Sequence, residues 1–353
     1  MERLRQFFRK RYSLGGLGEL ATHKTVPVHR HTFWYYWGGM TLLLIGIQIA
    51  SGVLLLLYYR PSAQEAFESV RFIMTKVQFG WLVRSVHAWA ANLAIFCAMV
   101  HLFSAFFLKA YRPPRELTWV SGFLLLALLF GFGFTGYLLP WNALSFFATK
   151  VGTEIAGAVP IVGKPMQVFL RGGGDVSDVT LTRFFWLHIA ILPLSLAAIL
   201  SMHLFMIQLQ GMSKPPSIKS DRSMPFFPNF FLRDLIGWAI GLGVVLALSV
   251  YWPATLGEKA DPFAPTPKGI QPEWYFLWMF QTLKLFPGHL MGLEGELVAV
   301  GFTGLAALAA LLVPWLDRPA RRDRSHWIAW ALGIVAVGYV VGMTGYALWT
   351  SPH

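Results

Sequence analysis

Seven apolar runs, each about as long as a bilayer is thick, leave this chain few ways to fold. They fall near residues 35–58, 85–108, 117–138, 184–207, 234–252, 292–314 and 327–349. A hydrocarbon layer roughly 30 Å deep needs about 20 helical residues to cross it. Lipid offers no hydrogen bonds, so runs of this length are expected as helices that satisfy their own backbone groups. With 56% hydrophobic and only 13% charged residues, a water-soluble fold is excluded and an all-α integral membrane protein with seven spans is expected.

The charges sit between these runs, so the net charge of +12 reflects membrane orientation and not a nucleic-acid partner. Segments 1–34, 109–116, 208–233 and 315–326 fall on one side and carry the excess of lysine and arginine. The clusters Arg3 to Arg11 and Arg318 to Arg324 therefore place the N-terminus in the cytoplasm and the C-terminus outside, in a bacterial cytoplasmic (inner) membrane. The basic, amphipathic stretch Met1 to Arg11 lacks the apolar core of a signal peptide and reads as a cytoplasmic surface segment. The single cysteine, Cys97, lies inside an apolar run, which rules out an intrachain disulfide, a thiolate metal cluster and a CxxCH haem attachment.

The long connections, Trp141 to Leu181 and Tyr251 to Met291, lie on the outer side and have room for short surface helices. Tyr111 to Glu116, with Pro113 and Pro114, reads as a tight turn. A stretch rich in proline, serine and charge at 211–230 divides a four-helix domain, residues 1–215, from a three-helix domain, residues 216–353.

Four histidines lie within the apolar runs: His87 and His101 in the second, His188 and His203 in the fourth. An ionisable side chain in lipid is costly unless it faces the protein interior with a partner. A separation of 14 residues spans about 21 Å of helix and ends about 40° short of whole turns, whereas 15 spans about 22 Å and overshoots by about 60°. Each helix thus offers two imidazoles on roughly one face at opposite depths, and two such helices side by side make two bis-histidine sites. Neutral imidazole is a strong axial ligand for haem iron. Zinc normally takes three or four clustered ligands, which this pattern does not supply.

Glycines repeat the same interval. Gly38 and Gly52 in the first run, and Gly122 and Gly136 in the third, are each 14 apart, offering bare patches at matching depths. Small-residue helix packing is the plainer explanation for any one of them. Arg84, one turn before His87, and Arg115, at the turn into the third run, are candidates to pair with haem propionates. In the outer connection, Gln271-Pro272-Glu273-Trp274-Tyr275 precedes a hydrophobic stretch; a carboxylate there can be shifted toward neutral pH and exchange a proton with a quinol. Glu273 and Tyr275, with Asp234 at the cytoplasmic start of the fifth run, form the candidate catalytic set. Lys24, His29, His31 and Gln208 are lesser candidates on that side.

The chain resembles cytochrome b of bc-type complexes over nearly its whole length. The resemblance rests on the four histidines, the four glycines, RSVHAW (84–89), PRELTW (114–119), TGYLLPW (135–141), TLTRF (180–184) and PEWY (272–275). It implies two non-covalent b-type haems. His87 and His188 would hold the outer, lower-potential one, and His101 and His203 the cytoplasmic, higher-potential one. It also implies a quinol-oxidising pocket at Glu273 and a quinone-reducing site near Asp234. The 15-residue histidine spacing, PRELTW and seven helices resemble the chloroplast-type cytochrome bf complex, here with its four-helix cytochrome and three-helix subunit IV fused. At the position where that form anchors an additional haem through cysteine this chain has Tyr36, and near Gln208 it lacks that form's arginine; covalent attachment of a further haem is therefore not expected.

The resemblance implies bifurcated quinol oxidation coupled to proton translocation, with a Rieske-type iron-sulfur protein and a c-type cytochrome as partners and a homodimeric core. The residues alone support a transmembrane haem path with ionisable groups at its ends. The competing reading is a di-haem membrane anchor of a quinone-linked dehydrogenase or hydrogenase, which would need neither PEWY nor long outer connections. A cofactor-free transporter is the remaining class.

Overall fold

A computed structural model describes residues 24–219, 221–267, 269–290, 292–317 and 324–350. Most of the basic clusters Arg3 to Arg11 and Arg318 to Arg324 lies outside these residues. Among the described residues six helices are long and apolar enough to cross a membrane: Thr32–Leu56, Gly80–Phe107, Glu116–Leu138, Asp178–Gln210, Phe226–Tyr251 and Trp327–Trp349. They match six of the seven expected runs. The run at 292–314 forms a shorter helix of 17 residues, Gly295–Leu311, followed by the brief turn Val313–Leu316.

In chain order, the helices are α1 (Tyr36–Leu56), α2 (Ala66–Thr75), α3 (Gly80–Phe107), α4 (Glu116–Leu138), α5 (Ala143–Gly157) and α6 (Gly163–Arg171). They continue as α7 (Asp178–Gln210), α8 (Phe231–Tyr251), α9 (Trp274–Leu285), α10 (Gly295–Leu311), α11 (Val313–Leu316) and α12 (Arg324–Trp349). Helix α1 packs along α3, and α4 along α7; α8 leans on both α1 and α3. Because α7 and α8 bury little of their apolar surface within this chain, they present leucine, isoleucine and phenylalanine outward, as lipid-facing helices do.

The long connections fold as anticipated into short helices, α5 and α6 in one and α9 in the other. Asn142 organises their junction: its side-chain oxygen accepts from Ser145 N at 2.8 Å to cap α5, and its amide donates to the Leu256 carbonyl at 2.7 Å. The Ala143 amide donates to Glu258 O and Ala260 to Trp141 O, so the two connections lie on one another. On the opposite face the residues before α1 and α8 form a two-stranded antiparallel ribbon, β1 (Thr25–Pro27) with β2 (Ser223–Pro225), whose Val26 is fully buried. The ribbon ties residues 223–225, within the stretch expected as a boundary, to the segment before α1.

A buried ionic cluster makes the second tie on that face. Asp317, after α11, accepts from Lys109 Nζ at 2.8 Å, Tyr111 Oη at 2.6 Å and Arg112 Nη2 at 3.1 Å, all from the turn between α3 and α4. Burial alone would raise the Asp317 carboxyl, but the bonds from Lys109 and Tyr111 hold it below the usual carboxylate range. The Lys109 and Asp317 side chains are only 2% and 7% exposed. Removing one member of such a pair strands a charge, at a cost of about 3–5 kcal/mol. Asp317→Ala is expected to lower thermal stability in detergent by an amount of this order; a melting curve unchanged from the parent would show that the tie contributes nothing.

Candidate cofactor and substrate sites

The four intramembrane histidines and the four glycines pair one to one. A Cβ placed on Gly38 would lie 3.1 Å from Cε1 of His101; on Gly52, 3.3 Å from Cε1 of His87; on Gly122, 3.2 Å from Cε1 of His203; and on Gly136, 2.6 Å from Cε1 of His188. A side chain at Gly136 would force the imidazole to move, and one at the other three glycines would crowd the ring beside it. Helices α1 and α4, which carry no histidine of the set, thus cradle the rings of α3 and α7.

The rings of His87 and His188 are neighbours, with centroids 6.4 Å apart and planes inclined by 70° in an edge-on arrangement. Two metal–imidazole bonds of about 2.0–2.1 Å to one metal would put ring centres about 6 Å apart, so the spacing of this pair would let both rings reach a single ion. On the other level, His101 lies against Gly38 and His203 against Gly122. Among the described residues no three His, Cys, Asp or Glu side chains cluster as a metal site. Two imidazoles with bare glycine beside each suit an iron whose other four ligands come from a flat macrocycle.

The spacing of 15 between His188 and His203 has a local cause. Residues Leu187–Ile191 form a π-helical turn within α7, closed by the Leu192 amide donating to Leu187 O. Pro193 follows immediately; it has no amide to offer the carbonyl four residues back, which loosens the ladder at this point. A wide turn absorbs one extra residue. The 60° overshoot expected of an ideal helix is thereby reduced, and the His188 ring lies within 6.4 Å of that of His87, centroid to centroid.

Three ring nitrogens have hydroxyl partners. His87 Nδ1 lies 3.0 Å from Ser51 Oγ, His188 Nδ1 3.1 Å from Thr135 Oγ1, and His203 Nδ1 2.8 Å from Ser121 Oγ. His101 Nδ1 is buried without a partner. These hydroxyls were not among the sequence candidates, although each directly precedes one of the marked glycines, a signal visible in Ser51-Gly52, Ser121-Gly122 and Thr135-Gly136.

The two candidate arginines sit at opposite ends of the bundle. Arg84 donates to the Ala254 carbonyl at 2.7 Å, and Arg115 to the Gln210 carbonyl at 2.9 Å. Asp234, in the first turn of α8, packs so closely on Gly39 that a Cβ there would lie 2.4 Å from its carboxylate. That places it one residue beyond the Gly38–His101 contact. Nearby, Lys24 donates to Gln208 at 2.7 Å and His29 bonds Tyr35 Oη at 2.7 Å, while the His31 ring accepts from Arg30 at 2.9 Å. Burial first, then the charges of His31 and Lys214, holds His29 below the ordinary histidine range. Cys97 is buried among Leu44, Ala90, Ala94 and Val245, and Tyr36 is stacked on Phe230 at 4.6 Å.

At the long-loop face a cavity of about 460 Å³ lies between α4, α5 and α9. Its walls are mostly apolar, with phenylalanine, valine, isoleucine, leucine and methionine prominent, and among its polar lining groups are Glu273, Tyr275 and Tyr137. Glu273 is the residue just before α9, but its side chain does not cap the helix. Desolvation pushes its carboxyl above the ordinary range, and burial likewise raises the Tyr275 phenol. Gly133 makes room for that phenol: a Cβ there would lie 2.5 Å from Tyr275 Oη. The structure brings Glu273 and Tyr275 together at this cavity, and Asp234 lies apart from it in the first turn of α8.

The fold and these pairs define a class: a helical membrane protein that holds buried imidazoles against glycines between its helices. Residues 22–211 match the family profile described as Cytochrome b/b6/petB, and 259–351 that described as Cytochrome b(C-terminal)/b6/petD. A "Cytochrome bc complex cytochrome b subunit" of Chlorobaculum thiosulfatiphilum is 46% identical over 334 residues, covering 94% of this chain and 77% of that one. A chain of the solved structure "Hyperthermophilic respiratory Complex III" superposes with a TM-score of 0.83 at 29% identity, covering 99% of this chain and 92% of the other. The chain belongs to the cytochrome b family, as a membrane-embedded cytochrome b subunit of a bc-type complex in which b6-like and subunit-IV-like parts are fused. The family implies b-type haems.

Proposed function

We propose that this chain is the subunit of a quinol:cytochrome c, or similar acceptor, oxidoreductase that oxidises quinol at one membrane face and conducts electrons to the other. The observation that carries this is the one-to-one match of four imidazoles with four glycine cradles at two depths, with His87 and His188 spaced for a shared metal. In this reading His87 and His188 hold the outer haem and His101 and His203 the cytoplasmic one, while Arg84 and Arg115 bind the acidic edges of their respective macrocycles. Bound haems would supply one-electron conduction; of each quinol's two electrons one would cross to a quinone on the cytoplasmic side and the other would go to a Rieske-type partner, with two protons leaving outside.

The chain's own residues handle binding and protons. The apolar cavity excludes water and admits a quinol ring, and Glu273 accepts a proton from it, with Tyr275 packed alongside. Asp234, with Lys24, His29, His31 and Gln208 nearby, delivers protons at the cytoplasmic quinone site. The carboxylate-bearing cavity favours this reading over a di-haem anchor, which would have no use for it. Residues 1–215 form the di-haem domain, and 216–353 the subunit-IV-like domain that contributes to quinol oxidation. The assembly sits in a bacterial inner membrane, N-terminus in the cytoplasm and C-terminus outside, as a homodimeric core with a Rieske protein and a c-type cytochrome.

In purified complex, quinol is expected to reduce two b-type absorbance components with resolvable midpoint potentials. Fewer than two haems per chain at full occupancy would overturn the proposal.

A further inference from the structure

We propose that Ser51, Thr135 and Ser121 are positioning residues that fix the ring tautomer of His87, His188 and His203, and that the two histidine pairs differ because His101 has no such anchor. The inference rests on the haem reading above.

A hydroxyl has one proton to donate and lone pairs to accept with. Each of the three hydroxyls already directs its proton to a carbonyl of its own helix: Ser51 to Ile47 at 2.6 Å, Thr135 to Gly131 at 2.8 Å, Ser121 to Thr118 at 2.9 Å. Toward the imidazole it can therefore only accept. Nδ1 must carry the ring proton, which leaves the lone pair on Nε2, the nitrogen free to bind iron. The reverse arrangement, hydroxyl donating to Nδ1, would put the proton on Nε2 and block ligation.

The position before each glycine is the source of the anchor, and at the fourth site it is filled differently. Before Gly38 stands Trp37, whose indole can donate but not accept. His101 Nδ1 and Trp37 Nε1 are both buried without partners. The outer pair is thus anchored at both rings, the cytoplasmic pair at one.

An acceptor on Nδ1–H makes the imidazole a stronger electron donor to its metal and favours the more oxidised iron. Two anchors lower the outer midpoint more than one lowers the other, the same order that the family resemblance implies for the two haems. The test is a spectrally resolved redox titration of intact purified complex. Ser51→Ala and Thr135→Val should each raise the outer midpoint and leave the cytoplasmic one in place; Ser121→Ala should do the converse. Ser51→Thr and Thr135→Ser should behave as the parent. Ser104→Ala is the control, because that hydroxyl bonds the His101 carbonyl at 2.8 Å and no ring nitrogen; it should move neither.

Loss of one component in Thr135→Val but not in Thr135→Ser also supports the proposal, since a ligand whose supporting partner is removed binds its metal about 10–100-fold more weakly. Unmoved midpoints in Ser51→Ala and Thr135→Val, or equal losses in the conservative variants, would overturn it while the haem reading stands. A parent complex lacking two components would overturn both.

Discussion

Complex bearing His188→Leu is expected to show a single b-type absorbance component, with haem content per chain halved. Leucine matches the space but offers no lone pair, so His87 is left as the only imidazole on its level. The cytoplasmic pair lies about 21 Å further along α3, beyond the reach of local repacking, and its component should persist with its midpoint little changed. Gly136→Leu should give the same spectrum by a different route, because a Cβ there would already lie 2.6 Å from His188 Cε1 and the longer side chain drives the ring off its partner. Convergence of a ligand deletion and a cradle obstruction on one missing component would identify the level as a shared site. Retention of both components in His188→Leu would remove His188 from the ligand set. Pyridine haemochrome quantification with reduced-minus-oxidised spectra gives both readouts.

The parts of this molecule that sequence exposes are those fixed by one-dimensional period. Apolar run length gives the spans, because a bilayer has one thickness. The recurrence of 14 among histidines and glycines gives two levels, because a straight helix carries that interval on nearly one face. What period alone cannot give is a local change of helix type. The separation of 15 in α7 overshoots whole turns on an ideal helix, and how that excess is taken up is visible only in the π turn at Leu187–Ile191, although Pro193 marks the place where the ladder weakens. The run at 292–314 illustrates the converse: its composition suits a full span, yet the regular helix stops at Leu311, and Pro314 lies in the next short turn. Contacts between distant segments were also hidden. Neither β1 with β2 nor the clasp of Asp317 on Lys109, Tyr111 and Arg112 has a signature within its own stretch. The hydroxyl anchors fall between these cases, visible as a dipeptide beside each glycine but meaningful only once Nδ1 is seen to lie within 3.1 Å.

Glu273→Gln is expected to slow quinol-driven haem reduction by roughly 100-fold, the lower end of what a positioned acid–base group contributes, while both haem components remain. The substitution preserves volume and hydrogen-bonding reach and removes only the titrating proton. Two influences oppose each other at this residue. Its place at the N-terminal end of α9 favours a negative charge, since unpaired amides there carry partial positive charge. The apolar cavity disfavours it, and desolvation wins, so the carboxyl titrates above an ordinary glutamate. The sign of the pH dependence follows. Only the ionised carboxylate can take a proton from quinol, and a raised pKa delays ionisation to higher pH, so the parent rate should climb with pH through that raised value. The glutamine variant has no such group and should lose that limb of the profile, running flat at its reduced rate. An exposed loop glutamate would behave otherwise: its ionisation would be complete well below neutrality, and neutralising it would leave the rate near that of the parent. Stopped-flow reduction of the b band across pH, in parent and variant, separates the two cases, and an unaltered rate with an unaltered limb would take Glu273 out of the proton path.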